Sequence, residues 1–317
     1  MARRTQTTPV FHLDGDVISE RQEVLCVESP LQILVRHGAQ GCPQPLTITM
    51  RTPAETRIQR DEDDADLALG FLVGEGIIHS PSEVLAVESP QGDDSVLVTL
   101  AQSVRLPTAR LERSFFSTSA CGVCGKSTLA GLAAEPQEPV QPQIPQIAAS
   151  DLFSLPEIVR QAQSTFERTG GLHAAALFDE RLQLVALRED VGRHNAVDKL
   201  IGSRLRVGAL PLHGHLLVVS GRASFELVQK ARMACIPIFV AIGAPSSLAT
   251  EVAKQAGMTL VAFLRQKKLN VYCGVERLRK GNAPLVQDPE PDKEDDEACR
   301  LPPSPQPGRR LPMIQAK

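Results

Sequence analysis

Leu216-Leu-Val-Val-Ser-Gly-Arg-Ala-Ser-Phe-Glu226 runs from a short apolar strand, through a Ser-Gly-Arg turn, into a predicted helix over Ser224–Met233. The device recurs downstream. Ile236–Ala241 reads as a strand, Ile242-Gly-Ala-Pro-Ser-Ser-Leu248 as a turn, Ser246–Ala256 as a helix and Thr259–Phe263 as the next strand. Upstream, Ala174–Phe178 and Leu182–Leu187 read as strands, and Glu157–Arg168 and His194–Arg204 as helices. Short apolar strands alternating with helices predict an α/β layered sheet, at least partly parallel, over residues 151–282.

Before this region the pattern changes. Residues 1–20 look polar and patternless and are expected to form a loose N-terminal arm. Leu31–Arg36 and Leu46–Arg51 predict a hairpin, Asp61–Asp64 opens a helical run with carboxylates in its first turn, and Val84–Val87 and Val96–Leu100 read as strands. Residues 21–110 are therefore expected to form a smaller α+β N-terminal domain with mostly antiparallel pairing, making the protein α+β overall. Residues 111–150 hold a Cys-x-x-Cys loop, a short helical run at Ser127–Ala134 and a linker with proline at every third position, Glu135-Pro-Gln-Glu-Pro-Val-Gln-Pro-Gln-Ile-Pro-Gln146. The stretch 283–317, with eight prolines and an acidic run at Glu290–Glu297, predicts a disordered tail.

Composition narrows the function classes. The 317 residues are 42% hydrophobic, and 34 Lys and Arg face 37 Asp and Glu for a net charge of -3. No global basic field for nucleic acid or an anionic membrane follows from that balance. Ten Phe, one Tyr and no Trp leave little for base stacking. The longest apolar run, about nine residues at Ile236–Ala244, is too short to span a bilayer. Met1-Ala-Arg-Arg lacks the apolar stretch of a secretory signal, and seven thinly spread cysteines do not make a disulfide framework. A cytoplasmic protein with reduced thiols is expected.

Ser119-Ala-Cys-Gly-Val-Cys-Gly-Lys-Ser-Thr128 carries the most specific chemistry. A structural zinc site needs four ligands, but no second Cys-x-x-Cys exists, so no metal is expected. Gly125-Lys126-Ser127 fits the end of a phosphate-binding P-loop, but Ala120 stands at its opening glycine. A thioredoxin-like pair would need a different strand–helix order. Zinc-dependent deamination would place a glutamate two residues after His173, where Ala175 stands, and its cysteine pair after the histidine. A reactive thiol fits best. Cys121 and Cys124 lie beside glycines, before a helix start and near Lys126, all of which favour an accessible thiolate.

The strand-to-helix turns add anion chemistry. Arg193 in Val191-Gly-Arg-His194 and Arg222 in Ser220-Gly-Arg-Ala223 each put a guanidinium beside the free N–H groups of a helix start. Phe263-Leu264-Arg265-Gln266-Lys267-Lys268 ends a strand with three cations. Any one of these turns also suits an ordinary solvated connection; their repetition points to a ligand with more than one phosphate. His173 reads equally as a packed residue or a catalytic one, and His194, in a denser polar cluster, leans towards function.

Together these segments resemble the FdhD family of sulfur carriers required for formate dehydrogenase activity. The resemblance runs through Ser119–Lys126, Thr169–Ala174, Glu189–Gly202, Ser220–Glu226, Ala244–Ala249, Thr259–Arg265 and Asn270–Tyr272. It implies a cytidine-deaminase-like α/β domain beside the smaller N-terminal one. It implies a sulfurtransferase that accepts sulfur from a cysteine desulfurase as a persulfide on Cys121. The sulfur passes to the bis-molybdopterin guanine dinucleotide form of the molybdenum cofactor, destined for the catalytic subunit of formate dehydrogenase. Phe263–Lys268 would bind that cofactor, and a homodimer is expected. A non-catalytic cofactor chaperone and a thiol-disulfide oxidoreductase are the alternatives; only the first would survive loss of both cysteines.

Overall fold

The computed structural model describes residues 4–89, 94–106, 136, 138–140, 145–281 and 283–284. Strands β1 (Thr5–Asp14) and β2 (Val17–Cys26) pair into an antiparallel ribbon. This corrects the loose arm expected for residues 1–20. Its signal was the tight turn at Asp14-Gly15, where Gly15 takes the left-handed φ of +59° that a two-residue hairpin loop demands.

Next comes a four-stranded sheet. Strands β3 (Ser29–His37) and β4 (Gln44–Arg51) form the expected hairpin, and β5 (Val84–Glu88) pairs with β6 (Ser95–Leu100), giving the order β4-β3-β6-β5. Helix α1 (Arg57–Gly74) starts earlier than the acidic run suggests, because Thr56 caps it by accepting a hydrogen bond from the Gln59 N–H. The acids thus fall beyond the first turn and serve as ion-pair partners. Asp64 accepts from Nε and Nη2 of the buried Arg51 guanidinium, at 2.8 and 2.9 Å, and Asp66 holds Arg206 and Arg188.

The second half begins with β7 (Ile147–Ala148), followed by helices α2 (Leu155–Ala162) and α3 (Ser164–Thr169). The single helix expected over Glu157–Arg168 is broken at Gln163, whose ψ of 72° leaves the helical region. The break frees the N–H groups of Thr165 and Phe166 to bond the Glu189 carboxylate, at 3.2 and 2.8 Å. Strands β8 (His173–Phe178), β9 (Leu184–Asp190), β10 (Leu216–Val219), β11 (Ile238–Ala241), β12 (Thr259–Arg265) and β13 (Lys268–Cys273) build a six-stranded sheet ordered β13-β12-β11-β10-β8-β9. Strands β10, β11 and β12 run parallel; β8, β9 and β13 are antiparallel to their neighbours. Helices α4 (Arg193–Arg206), α5 (Phe225–Met233) and α6 (Ser247–Gln255) follow the turns. Strand β14 (Leu278–Lys280) pairs in parallel with β7 and antiparallel with β15 (Ala283–Pro284).

Alternate residues of the six-stranded sheet enter two cores. Ala175, Leu177, Leu217, Val219, Phe239 and Leu260 face one; Ala176, Phe178, Leu216, Val218, Ile238 and Val240 face the other. The first core also holds Leu31, Ile33, Val96 and Val98 of the four-stranded sheet and the apolar residues of α1 and α4. The two sheets therefore share one core, and residues 1–285 make one unit. Helices α1 and α4 cross at glycines. A Cβ on Gly70 would lie 1.8 Å from the Asp198 carbonyl oxygen, and one on Gly202 would lie 1.8 Å from that of Asp66.

Candidate functional site at the carboxyl edge of the six-stranded sheet

Parallel strands deliver their carboxyl ends to one edge, where open α/β sheets hold ligands. Here β10, β11 and β12 end together; β8 begins at that edge with His173, and β9 finishes there with Asp190, opposite His173. The turns that follow are laced by their backbones. The Gly243 N–H donates to the Gly221 carbonyl at 2.9 Å, the Phe263 N–H to the Gly243 carbonyl at 3.2 Å, and the Ala223 N–H to the Ala244 carbonyl at 3.1 Å.

The side chains form a row. A Cβ on Gly221 would sit 3.5 Å from His173 Nδ1 and 3.8 Å from Arg193 Cδ, and one on Gly243 would sit 3.1 Å from Arg222 Cγ. At Gly243 the missing side chain leaves room for Arg222 and the Gly221 carbonyl, which a Cβ would crowd at 3.1 and 3.0 Å, whereas at Gly221 a Cβ would make only ordinary contact. Arg193 Nε is buried with no hydrogen-bond partner among the described residues. Such a donor is costly to leave unmade.

At the end of β12 the backbone is irregular. Phe263 and Gln266 have left-handed φ values of +54° and +45°, and the pairing with β13 slips between Ala262 and Arg265. Strain of this kind gathers at ligand sites. It separates the segment's side chains: Phe263, Arg265, Gln266, Lys267 and Lys268 are exposed, while Leu264 is fully buried in the second core. Leu264 thus anchors the segment rather than lining its surface.

The histidines and a glutamate not singled out from sequence complete the edge. His194 Nε2 lies 3.3 Å from Ser224 Oγ and 3.7 Å from Glu226 Oε2. The neighbouring His194 is the main reason the Glu226 carboxyl is held down to about 2. Burial, reinforced by Arg193 and His194, pushes His173 below the ordinary imidazole value, so it is neutral at pH 7. A neutral imidazole beside cations can donate one hydrogen bond and accept another without adding charge.

Other residues of the Glu189–Gly202 stretch bind the two sheets together. Asp190 accepts from the N–H groups of Gly192 and Thr52, from Asn195 Nδ2 and from Lys199 Nζ at 2.8 Å. Lys199, fully buried, also donates to the Thr52 carbonyl at 3.0 Å. Asn195 bonds the Met50 carbonyl and Thr49 Oγ1. A stretch that reads as one functional motif therefore divides into an edge pair, Arg193 and His194, and a clamp.

Cys121 and Cys124 lie outside the described residues, as does the helical run at Ser127–Ala134. Cys26, Cys235 and Cys273 are chemically different from what an activated nucleophile requires. Burial pushes the Cys26 and Cys273 thiols up and takes Cys235 to about 11. Among the described residues no three or more His, Cys, Asp or Glu side chains are grouped to hold a metal ion, and no helix is long and apolar enough to cross a membrane.

The FdhD/NarQ family model matches residues 27–279, which takes in both sheets and the whole carboxyl edge. The chain belongs to the FdhD/NarQ family. Among relatives of this FdhD/NarQ chain, the sulfur carrier protein FdhD of Streptomyces avermitilis is 44% identical over 287 residues, covering 88% of this chain and 97% of the relative. That of Mycobacterium tuberculosis is 42% identical, covering 88% and 100%, and that of Sulfurisphaera tokodaii 39%, covering 85% and 97%. The fold is shared with a crystal structure of a protein assigned as a formate dehydrogenase accessory protein from Desulfotalea psychrophila. The TM-score is 0.64 at 22% identity, over 86% of this chain and 99% of that one. The family resemblance read from the motifs is thereby borne out.

Proposed function

We propose that this FdhD/NarQ chain is a sulfurtransferase that matures the molybdenum cofactor of formate dehydrogenase. The observation that carries the reading is the row His173–Arg193–Gly221–Arg222–Gly243–Phe263 along one sheet edge. Its guanidiniums, glycine turns and the adjoining Arg265, Lys267 and Lys268 suit the several phosphates of bis-molybdopterin guanine dinucleotide, the substrate. The order β9-β8-β10-β11-β12, antiparallel and then parallel, supports the cytidine-deaminase-like arrangement.

Sulfur reaches the site on Cys121. Its thiolate attacks the terminal sulfur of a desulfurase persulfide, the donor S–S bond breaks, and the donor cysteine leaves as thiolate. Cys121 then holds the persulfide for the bound cofactor, and Cys124 is secondary. Formate dehydrogenase receives the product, and the neutral His173 leaves the edge without a further charge.

Mass spectrometry after incubation with a cysteine desulfurase and cysteine tests this. The wild type is expected to gain 32 Da, about one sulfur atom. Cys121→Ala is expected to lose both the gain and activation of formate dehydrogenase, whereas Cys124→Ala keeps at least part of the loading. Full activation by a Cys121→Ala, Cys124→Ala protein would favour a non-catalytic chaperone instead.

A further inference from the structure

Where the entry of α1 meets α3 and β9, a cleft of about 460 Å³ opens, lined by no residue of the row along the carboxyl edge. Its lining carries Arg4, Arg168 and Arg188 together with Glu55, Asp63 and Glu189. Opposite charges this close normally draw into tight pairs. Elsewhere in the protein they do, with Arg51–Asp64 and Arg206–Asp66 both at 2.8 Å. Within the cleft none does: Arg168–Glu55 is 3.4 Å, Arg4–Glu189 3.5 Å and Arg4–Asp63 3.9 Å.

Two of the six groups are already satisfied. Glu189 accepts the N–H groups of Thr165 and Phe166, and Arg4 Nε donates to Thr165 Oγ1 at 2.7 Å. The other four keep bonding capacity. Arg188 gives Nη1 to the Leu187 carbonyl and Nη2 to Asp66, but its Nε is buried with no partner among the described residues. Asp63 has Lys199 at 3.6 Å and Arg4 at 3.9 Å, both beyond hydrogen-bond distance. The side chains of Glu55 and Arg168 are more than half exposed, and neither makes a polar contact closer than 3.4 Å among the described residues.

We propose that this cleft binds a free α-amino acid with an aliphatic side chain. The unsatisfied groups are two cations and two anions, so the ligand that suits them is neutral overall and carries both charges. A lone anion would meet Arg168 and Arg188 but be repelled by Glu55 and Asp63, and a lone cation would meet the converse. The α-carboxylate goes to the two guanidiniums, whose planar forks match it, and the α-ammonium to the two carboxylates. Ala54, Ala162 and Leu187 supply an apolar wall for the side chain, and the volume is that of a small-molecule site. The inference is independent of the sulfur chemistry, because it uses neither cysteine of the Cys-x-x-Cys pair and no residue of the edge row.

Isothermal titration calorimetry of the full chain with L-leucine and L-alanine tests it. The controls are isocaproate, which lacks the ammonium of leucine, isoamylamine, which lacks its carboxylate, and inorganic phosphate. At least one of the amino acids is expected to bind one to one, and all three controls at least about tenfold more weakly. Glu55→Gln and Arg168→Gln change exposed side chains and leave the buried pairs intact. Each is expected to weaken amino-acid binding at least about tenfold while keeping the melting temperature of the free protein, which separates a lost contact from a folding defect. The proposal is overturned if neither amino acid binds at millimolar concentration, if any control binds as tightly, or if either variant binds like the wild type.

Discussion

Glu226 shows how a single residue couples the candidate site to stability. Its carboxyl lies in the first turn of α5, 3.7 Å from His194 Nε2, and is held at about 2 against an ordinary value of 4.5. A carboxyl with a lowered folded value stabilises fully above its unfolded value and loses that contribution as pH falls through the folded one. Urea unfolding between pH 6 and pH 2 is therefore expected to show the wild type losing about 1–3 kcal/mol more than Glu226→Gln, the free energy of that lowered acidity reduced for solvent screening of a half-buried group. The gap between the two proteins should be complete above pH 4.5 and closed near pH 2. Acid curves that stay parallel would mean that the His194–Glu226 contact is not formed in solution. This residue was not legible from the sequence. Glu226 lies four residues past a Gly-Arg turn that was, but its meaning depends on His194, which only the packing of α4 beside α5 brings near.

At the scale of elements, regular alternation told most and long-range partners told the rest. The strands from β8 to β12 and the turns after them follow from short apolar runs punctuated by Gly, Arg and Ser, so Arg193 and Arg222 were visible as anion-suited. The start of α1 and the break at Gln163 were not, because a Thr56 cap outweighs an acidic run and Glu189 captures backbone N–H groups some 23 residues away. Leu264 likewise reads as part of a binding segment until the slip in β12 turns it inward. The edge elements act as one surface if the reading is right. Arg222→Ala and Arg265→Ala are each expected to weaken guanine-nucleotide binding by about 1.5–3 kcal/mol in calorimetry; unchanged binding by both would remove the shared surface. The helix crossing is expected to be unforgiving. Gly70→Ala puts a methyl group into the Asp198 carbonyl, so it should cost more than the usual 1–3 kcal/mol of overpacking and lower the melting temperature accordingly.

For the whole molecule, the decisive fact is the core that runs from Leu31 and Ile33 through α1 and α4 to Leu217 and Phe239. The sequence suggested two domains because composition breaks at the proline-rich stretch 135–146; burial unites them because neither sheet covers its own apolar face without the helices between. Ion pairs seal the same boundary: Arg206 with Asp66 at 2.8 Å, Arg188 with Asp66 at 3.2 Å, Lys199 with Asp63 at 3.6 Å. The chain on either side of that stretch is thus held by burial and charge, and its peptide link becomes dispensable. Two polypeptides divided within residues 135–146 and produced together are expected to copurify at one to one and unfold in a single calorimetric transition. The protein would then behave as a natural pair of complementing fragments, in which the cysteine pair travels on one piece and the phosphate-suited edge on the other.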